Sequence, residues 1–152
     1  MKLSINAALL ALAAILVLGM LALVLIWTEE AEAVEISLPA IAQIESSGRD
    51  FVVGDNGHAF GRYQITAPVI REHGRYTVAE AKASPAKQEE IARWYLGKRI
   101  PAMIRAYGRP VTVRNILVAY NAGIAYVKTG KPLPKTTRDY LKKYERLTGV
   151  AS

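Results

Sequence analysis

The sequence predicts a mostly α domain of short helices with one irregular loop or hairpin region, preceded by an N-terminal hydrophobic helix. Three observations predict this. Residues Ile5 to Trp27 form a run of 23 without a charge. Several short segments beyond it begin on Ser or Thr caps and carry apolar residues at i, i+3 and i+4. Between the first of these and the rest, Phe51 to Tyr63 holds Gly54, Gly57 and Gly61 beside Asp55 and Asn56, which is the chemistry of turns.

The apolar run would reach roughly 34 Å as a helix, enough to span a bilayer core of about 30 Å. Lys2 precedes it, and Glu29, Glu30, Glu32 and Glu35 follow. The positive side stays in the cytoplasm, so residues 34–152 are expected on the outward face, in the periplasm or cell wall. Ala31-Glu32-Ala33 has the small-x-small form of a cleavage site, which would release a secreted protein starting at Val34. The run exceeds the usual signal core of about 7–15 residues, so a retained single-pass anchor through residues 5–27 is favoured. Two parts follow: 1–33 as signal-anchor or signal peptide with a charged linker, and 34–152 as the outer domain.

In the outer domain, Ser37 caps a first helix with Pro39 in its first turn and Ile41, Ile44 and Glu45 on one face. Gly48 serves as its C′ residue. Val52-Val53 suits a short strand. Thr66 caps a helix ending before Gly74, and Thr77 with Glu80 forms a capping box for the next. Ser84-Pro85 opens a longer helix that Gly97 and Pro101 should bend or divide, with Trp94 and Tyr95 read as core. Thr112 caps a helix broken by Asn121-Ala122-Gly123, and Thr137 caps a last helix containing Tyr140, Leu141 and Tyr144.

Composition removes several kinds of chemistry. The chain has 152 residues, is 51% hydrophobic and 22% charged, and has no Cys, so disulfides, thiolate zinc sites and Cys nucleophiles are excluded. His58 and His73 stand far apart and no HExxH occurs, which disfavours a metalloprotease. No glycine pattern for a nucleotide is present, and neither cofactor nor metal is expected. The first 33 residues carry one Lys against three Glu, so the outer domain is +9 where the whole chain is +7. That field favours anionic polymers such as cell-wall glycan with its peptide carboxylates. For an outward-facing domain, nucleic acid is not expected as a partner.

Glu45 is the candidate acid. It ends an apolar helix, where the dipole and partial burial both disfavour the carboxylate and raise its pKa. A general acid near neutral pH needs this. By itself such a Glu is usually a solvated surface residue.

Three further motifs follow it. Glu45-Ser46-Ser47-Gly48, Gly61-Arg62-Tyr63-Gln64-Ile65, Ala119-Tyr120-Asn121-Ala122-Gly123 and Thr137-Arg138-Asp139-Tyr140 stand in this order within about 100 residues. Together they resemble the soluble lytic transglycosylase family, in the lysozyme-like superfamily, over residues 38–146. The resemblance implies a lysozyme-like fold and cleavage of the β-1,4 bond between N-acetylmuramic acid and N-acetylglucosamine in peptidoglycan, leaving 1,6-anhydromuramyl ends. It implies Glu45 as the single catalytic carboxyl and places Ser46 or Ser47 near it. Gln64 would line the glycan groove, Tyr120 and Asn121 its opposite wall, and Tyr140 would bring its hydroxyl to Glu45. Where the family usually has Gly-Leu-Met-Gln, this chain has Gly61-Arg62-Tyr63-Gln64, so the floor there is expected to be more polar or reshaped. Without the resemblance, Tyr120 and Tyr140 read as ordinary core residues and Gln64 as a loop residue satisfying backbone. Asp50 and Asp55 are the nearby candidates for a second carboxylate, which a hydrolytic lysozyme would use to place water. A catalytically idle wall-binding module is the third reading. The expected partners are peptidoglycan strands and, through residues 5–27, the membrane; the protein is expected to be a monomer.

Overall fold

The computed structural model describes residues 34–152, and the apolar run and the cleavage motif lie outside the described residues. Val34–Ser152 is one compact unit. Among the described residues no helix is long and apolar enough to cross a membrane.

Helix α1 (Leu38–Ser46) starts as expected: the Ser37 side chain accepts from the Ala40 N–H, and Pro39 occupies the first turn. A three-stranded antiparallel sheet follows, made of β1 (Val53–Gly54), β2 (Ala59–Phe60) and β3 (Ile65–Thr66), with a 3₁₀ turn at Asp55–Gly57. The register pairs Val53 with Phe60 and Phe60 with Ile65. Strands of two residues are too short to hold themselves, and this sheet folds because Phe60 and Ile65 are buried in the helical core.

Helices α2 (Ala67–His73), α3 (Val78–Ala83) and α4 (Pro85–Trp94) come next. The Thr77–Glu80 capping box is formed in both directions. Helix α4 continues through a π-turn at Tyr95–Arg99 into α5 (Ile100–Ala106). The expected break at Gly97 and Pro101 is thus absorbed rather than made. Pro101 has no N–H to give the Gly97 carbonyl, and its ring would crowd that carbonyl in a regular helix. Widening the turn, with the Ile100 N–H reaching back to Tyr95 O, relieves both.

Helix α6 (Val113–Ala122) is capped by Thr112 and stops at Gly123, whose φ of 94° suits glycine. A short helix α7 (Ile124–Thr129) follows directly, which the sequence reading did not separate. The last helix, α8 (Lys135–Thr148), starts earlier than expected. Pro134 stands at its N-cap, and Thr137 is buried inside the first turn instead of capping it. Pro134 brings its own fixed φ of −53°, so the helix needs no hydroxyl to begin.

The core lies between α1, the α4–α5 helix, α6 and α8. Ile41, Ile91, Ile100, Ile104, Ile116 and Leu117 are wholly buried. Each such side chain contributes about 1.5–3 kcal/mol by burial. The Ser37 N–H donates to the Tyr144 hydroxyl at 2.8 Å, which ties the start of α1 to α8.

Candidate active site

Helix α1 delivers Glu45 in its last turn. The helix ends on Ser47, in the left-handed region at φ 57°, followed by Gly48 at φ 76°. Ser47 N–H donates to Gln43 O at 3.1 Å and Gly48 N–H to Ala42 O at 3.0 Å. The Ser47 bond is that of an αL ending, with Gly48 reaching one carbonyl further back, and it puts the C′ position at Ser47, one residue before the expected Gly48.

The loop Gly61–Gln64 is held from several sides. The buried Ser46 hydroxyl has one proton and two acceptors in reach, Ala42 O at 3.2 Å and Arg62 O at 3.0 Å. The Tyr120 hydroxyl donates to Tyr63 O. Gln64 adopts φ 47°, and its Nε2 donates to Gly61 O at 2.8 Å and Val52 O at 3.3 Å. Its carboxamide lies flat against Gly54, where a Cβ would stand 2.0 Å from Gln64 Oε1. Gly61, at φ 73°, meets the buried Gln88 in the same way, with 1.8 Å between a would-be Cβ and Gln88 Oε1.

A cleft of about 330 Å³ opens over this loop. Glu45, Asp55, Gln64, Tyr95, Tyr120 and Asn121 supply its polar groups, above an apolar floor that includes Ala59, Ile65 and Val69. Burial raises the pKa of Glu45, and Tyr140 opposes the rise by favouring the ionised form. The Tyr140 hydroxyl is buried beside Glu45 without a hydrogen-bond partner of good geometry. Burial first, and the Glu45 charge second, hold both Tyr120 and Tyr140 well above the ordinary phenol range, so both remain neutral donors. Among the described residues no group of His, Asp and Glu is arranged to hold a metal ion.

Glu45, Gln64, Tyr120 and Asn121 therefore line one cleft, and Tyr140 stands behind Glu45. Ser46 lies below the cleft as a buried tie. Ser47 points elsewhere, into a cavity with Gln43, Ile44, Lys143 and Arg146. The two candidate second carboxylates separate. Asp50 is taken up by Arg62, whose Nη2 lies 2.5 Å from Asp50 Oδ1, whereas Asp55 lines the cleft with Glu45. The same pair accounts for the unusual Gly61-Arg62-Tyr63-Gln64. Arg62 turns out to Asp50, and Tyr63, 2% exposed, fills the core in place of an aliphatic residue.

Tyr95, read as core, has two roles: half-buried, it packs against the core and also lines the cleft wall, with its ring 6.0 Å from that of Tyr120. The Tyr95 N–H still bonds Ile91 O, so Tyr95 keeps the regular turn of α4 and the widening falls after it. Trp94 is half-buried edge-on against His73.

A protein-family model described as the transglycosylase SLT domain matches residues 23–142. Comparisons with curated proteins and with solved structures give no match. The matched span takes in α1 with Glu45, the whole cleft and Tyr140, most of the chain's length, and on that basis the chain belongs to the transglycosylase SLT domain family.

Proposed function

We propose that this protein is a peptidoglycan lytic transglycosylase in which Glu45 acts first as acid and then as base. The observation that carries this reading is the single carboxyl at the end of α1, its proton affinity raised by burial, lining a cleft beside neutral phenols. Such a carboxyl is protonated at a pH where an ordinary one is not. It gives its proton to the bridging oxygen between N-acetylmuramic acid and N-acetylglucosamine as the C1–O bond breaks. The substrate's N-acetyl group assists that departure. The muramyl C6 hydroxyl then attacks C1, and the Glu45 carboxylate takes the hydroxyl proton. Glu45 is restored, no water is consumed, and the new end is 1,6-anhydromuramyl. Tyr95, Tyr120 and Asn121 form the wall against which the glycan would lie, and Gln64 shapes the floor through its two backbone bonds.

A second reading, an inverting lysozyme, is favoured by one observation: Asp55 lines the same cleft as Glu45. A water held between the two would then be the nucleophile. Mass spectrometry of muropeptides from digested sacculi tests the choice. Anhydro ends, about 18 Da (one water) lighter than reducing ends and inert to borohydride, are expected from attack by the C6 hydroxyl. Reducing ends as the main product would overturn the transglycosylase reading. Peptidoglycan as substrate places the domain outside the cytoplasmic membrane, and the apolar run of residues 5–27 supports a tether there.

A further inference from the structure

The charge of the domain is divided by sequence and by position. From Val34 to Glu90 there are six Lys and Arg against eight Asp and Glu. From Ile91 to Tyr144 there are twelve Lys and Arg against one acid, Asp139. Three of those twelve form ion pairs among the described residues: Arg93 with Glu89, Arg99 with Glu72 and Lys135 with Asp139. The positive field therefore arises from the α5–α8 half, where Glu145, beside Arg114 and Lys142, is the one further acid.

It converges on a second cavity, of about 320 Å³, between the start of α6, α7 and the loop after α7. Arg109, Arg114 and Lys131 line it with Asn115 and Tyr126, and no acidic side chain does. Three of its groups are held in place, Arg114 by a bond from Nη1 to Ser152 O at 3.2 Å. Arg109 Nη2 donates to Lys128 O at 2.9 Å, which fixes the guanidinium across the loop and leaves its other nitrogens open. Asn115 Nδ2 donates to Pro110 O at 2.8 Å. A fixed, open guanidinium beside a lysine on a partly apolar wall suits a carboxylate attached to a chain. The catalytic cleft lies at the other end of the same helix: Arg114 and Asn121 are separated by about 10 Å along α6.

We propose that this basic cavity is a second docking site for peptidoglycan, which binds the carboxylates of its stem peptides while the cleft holds the glycan. The inference rests on the peptidoglycan reading above. A polymer that carries a carboxylate at every muramyl peptide offers such a site many equivalent ligands, so the site raises the time the enzyme stays on the wall and leaves the chemistry alone.

The test uses the full chain with Glu45→Gln, so that the wall is bound without being cut. Binding is read by co-sedimentation with purified sacculi stripped of phosphodiester-linked polymers. At about 0.1 M salt, where screening acts over ~10 Å, Arg109→Glu with Lys131→Glu should lower the bound fraction about 10-fold. Carbodiimide amidation of the sacculi should lower binding of the parent chain to the same degree. Lys131→Glu alone, whose native side chain makes no hydrogen bond among the described residues, keeps the test open if the double variant fails to fold. In the chain with native Glu45, the charge reversals should leave cleavage of peptide-free glycan oligosaccharides unchanged. Undiminished pelleting of the charge-reversed chain, no effect of amidation, or loss of parent binding when only the phosphodiester polymers are removed would each overturn the proposal. Absence of any cleavage by the native chain would instead count against the transglycosylase reading, because pelleting does not depend on turnover.

Discussion

The Tyr120 hydroxyl donates to the main-chain oxygen of Tyr63 at 2.5 Å, joining the last turn of α6 to the loop that carries Gln64. The Ser46 hydroxyl, shared between Ala42 O and Arg62 O, links α1 to the same loop. Tyr120 and Ser46 thus reach the two successive carbonyls just ahead of Gln64. Removing the donor with Tyr120→Phe should cost about 1–3 kcal/mol, the penalty for a buried carbonyl that loses its partner. For a chain of this size the melting temperature should fall by ~2–4 °C per kcal/mol. Activity should fall with it, as Gln64 loses its fixed position. Unchanged melting in Tyr120→Phe would show that this tie carries no weight.

Glu45→Gln should lower glycan cleavage at least about 10²-fold. It should also stabilise the protein. The folded pKa of Glu45 lies above its unfolded value, so ionising it opposes folding. That cost is absent below the unfolded value, near pH 4, and fully present above the folded one. The substitution should therefore raise the melting temperature at pH 8 and leave it nearly unchanged at pH 4. Calorimetry at the two pH values checks this. A lower melting temperature at pH 8 would contradict the burial penalty.

Tyr140→Phe separates position from chemistry. The Tyr140 hydroxyl has no well-formed hydrogen bond to lose, and its effect on Glu45 is to favour the carboxylate. Its removal should raise the Glu45 pKa further. The alkaline limb of kcat/KM should move to higher pH while melting changes little. A limb that moves to lower pH would mean that Tyr140 holds the proton on Glu45 rather than helping it leave.

Asp55→Asn bears on the nucleophile. Asp55 and Asn56 both adopt left-handed backbone, at φ 47° and 52°, and Asn accepts that conformation as readily as Asp. The loop should keep its shape. If the C6 hydroxyl is the nucleophile, turnover and the anhydro product should both persist. A loss of about 10²-fold, with reducing ends from the native enzyme, would assign Asp55 to water.

The elements that local chemistry dictates were legible in the sequence. Ser37, Ser84 and Thr112 each accept the backbone bond expected of a helix cap, and Thr77 closes its box with Glu80. Less legible were features set by partners distant in the chain. That Ser46 turns inward and Ser47 outward depends on Arg62 O arriving from 16 residues away. That Asp50 is removed from the cleft and Asp55 kept in it depends on where Arg62 points. Thr137 looked like a cap because a hydroxyl before a helix usually is one, but Pro134 had already started the turn. Tyr95 keeps the periodicity of α4, and that it also lines a cleft depends on Gln64 and Tyr120 arriving from elsewhere in the chain.

The π-turn at Tyr95–Arg99 amounts to one residue more than a straight helix would hold between Ile91 and Ile100. Deleting it would be the obvious way to idealise the α4–α5 helix. The deletion would turn everything beyond it by about 100° against everything before it. Either Ile100 and Ile104 would leave the core or Tyr95 would leave the cleft, because the two now face their partners only through the mismatch. The irregular turn is therefore a joint between two demands on one helix, and a lineage that kept both the packed interior and the tyrosine wall had no shorter helix open to it.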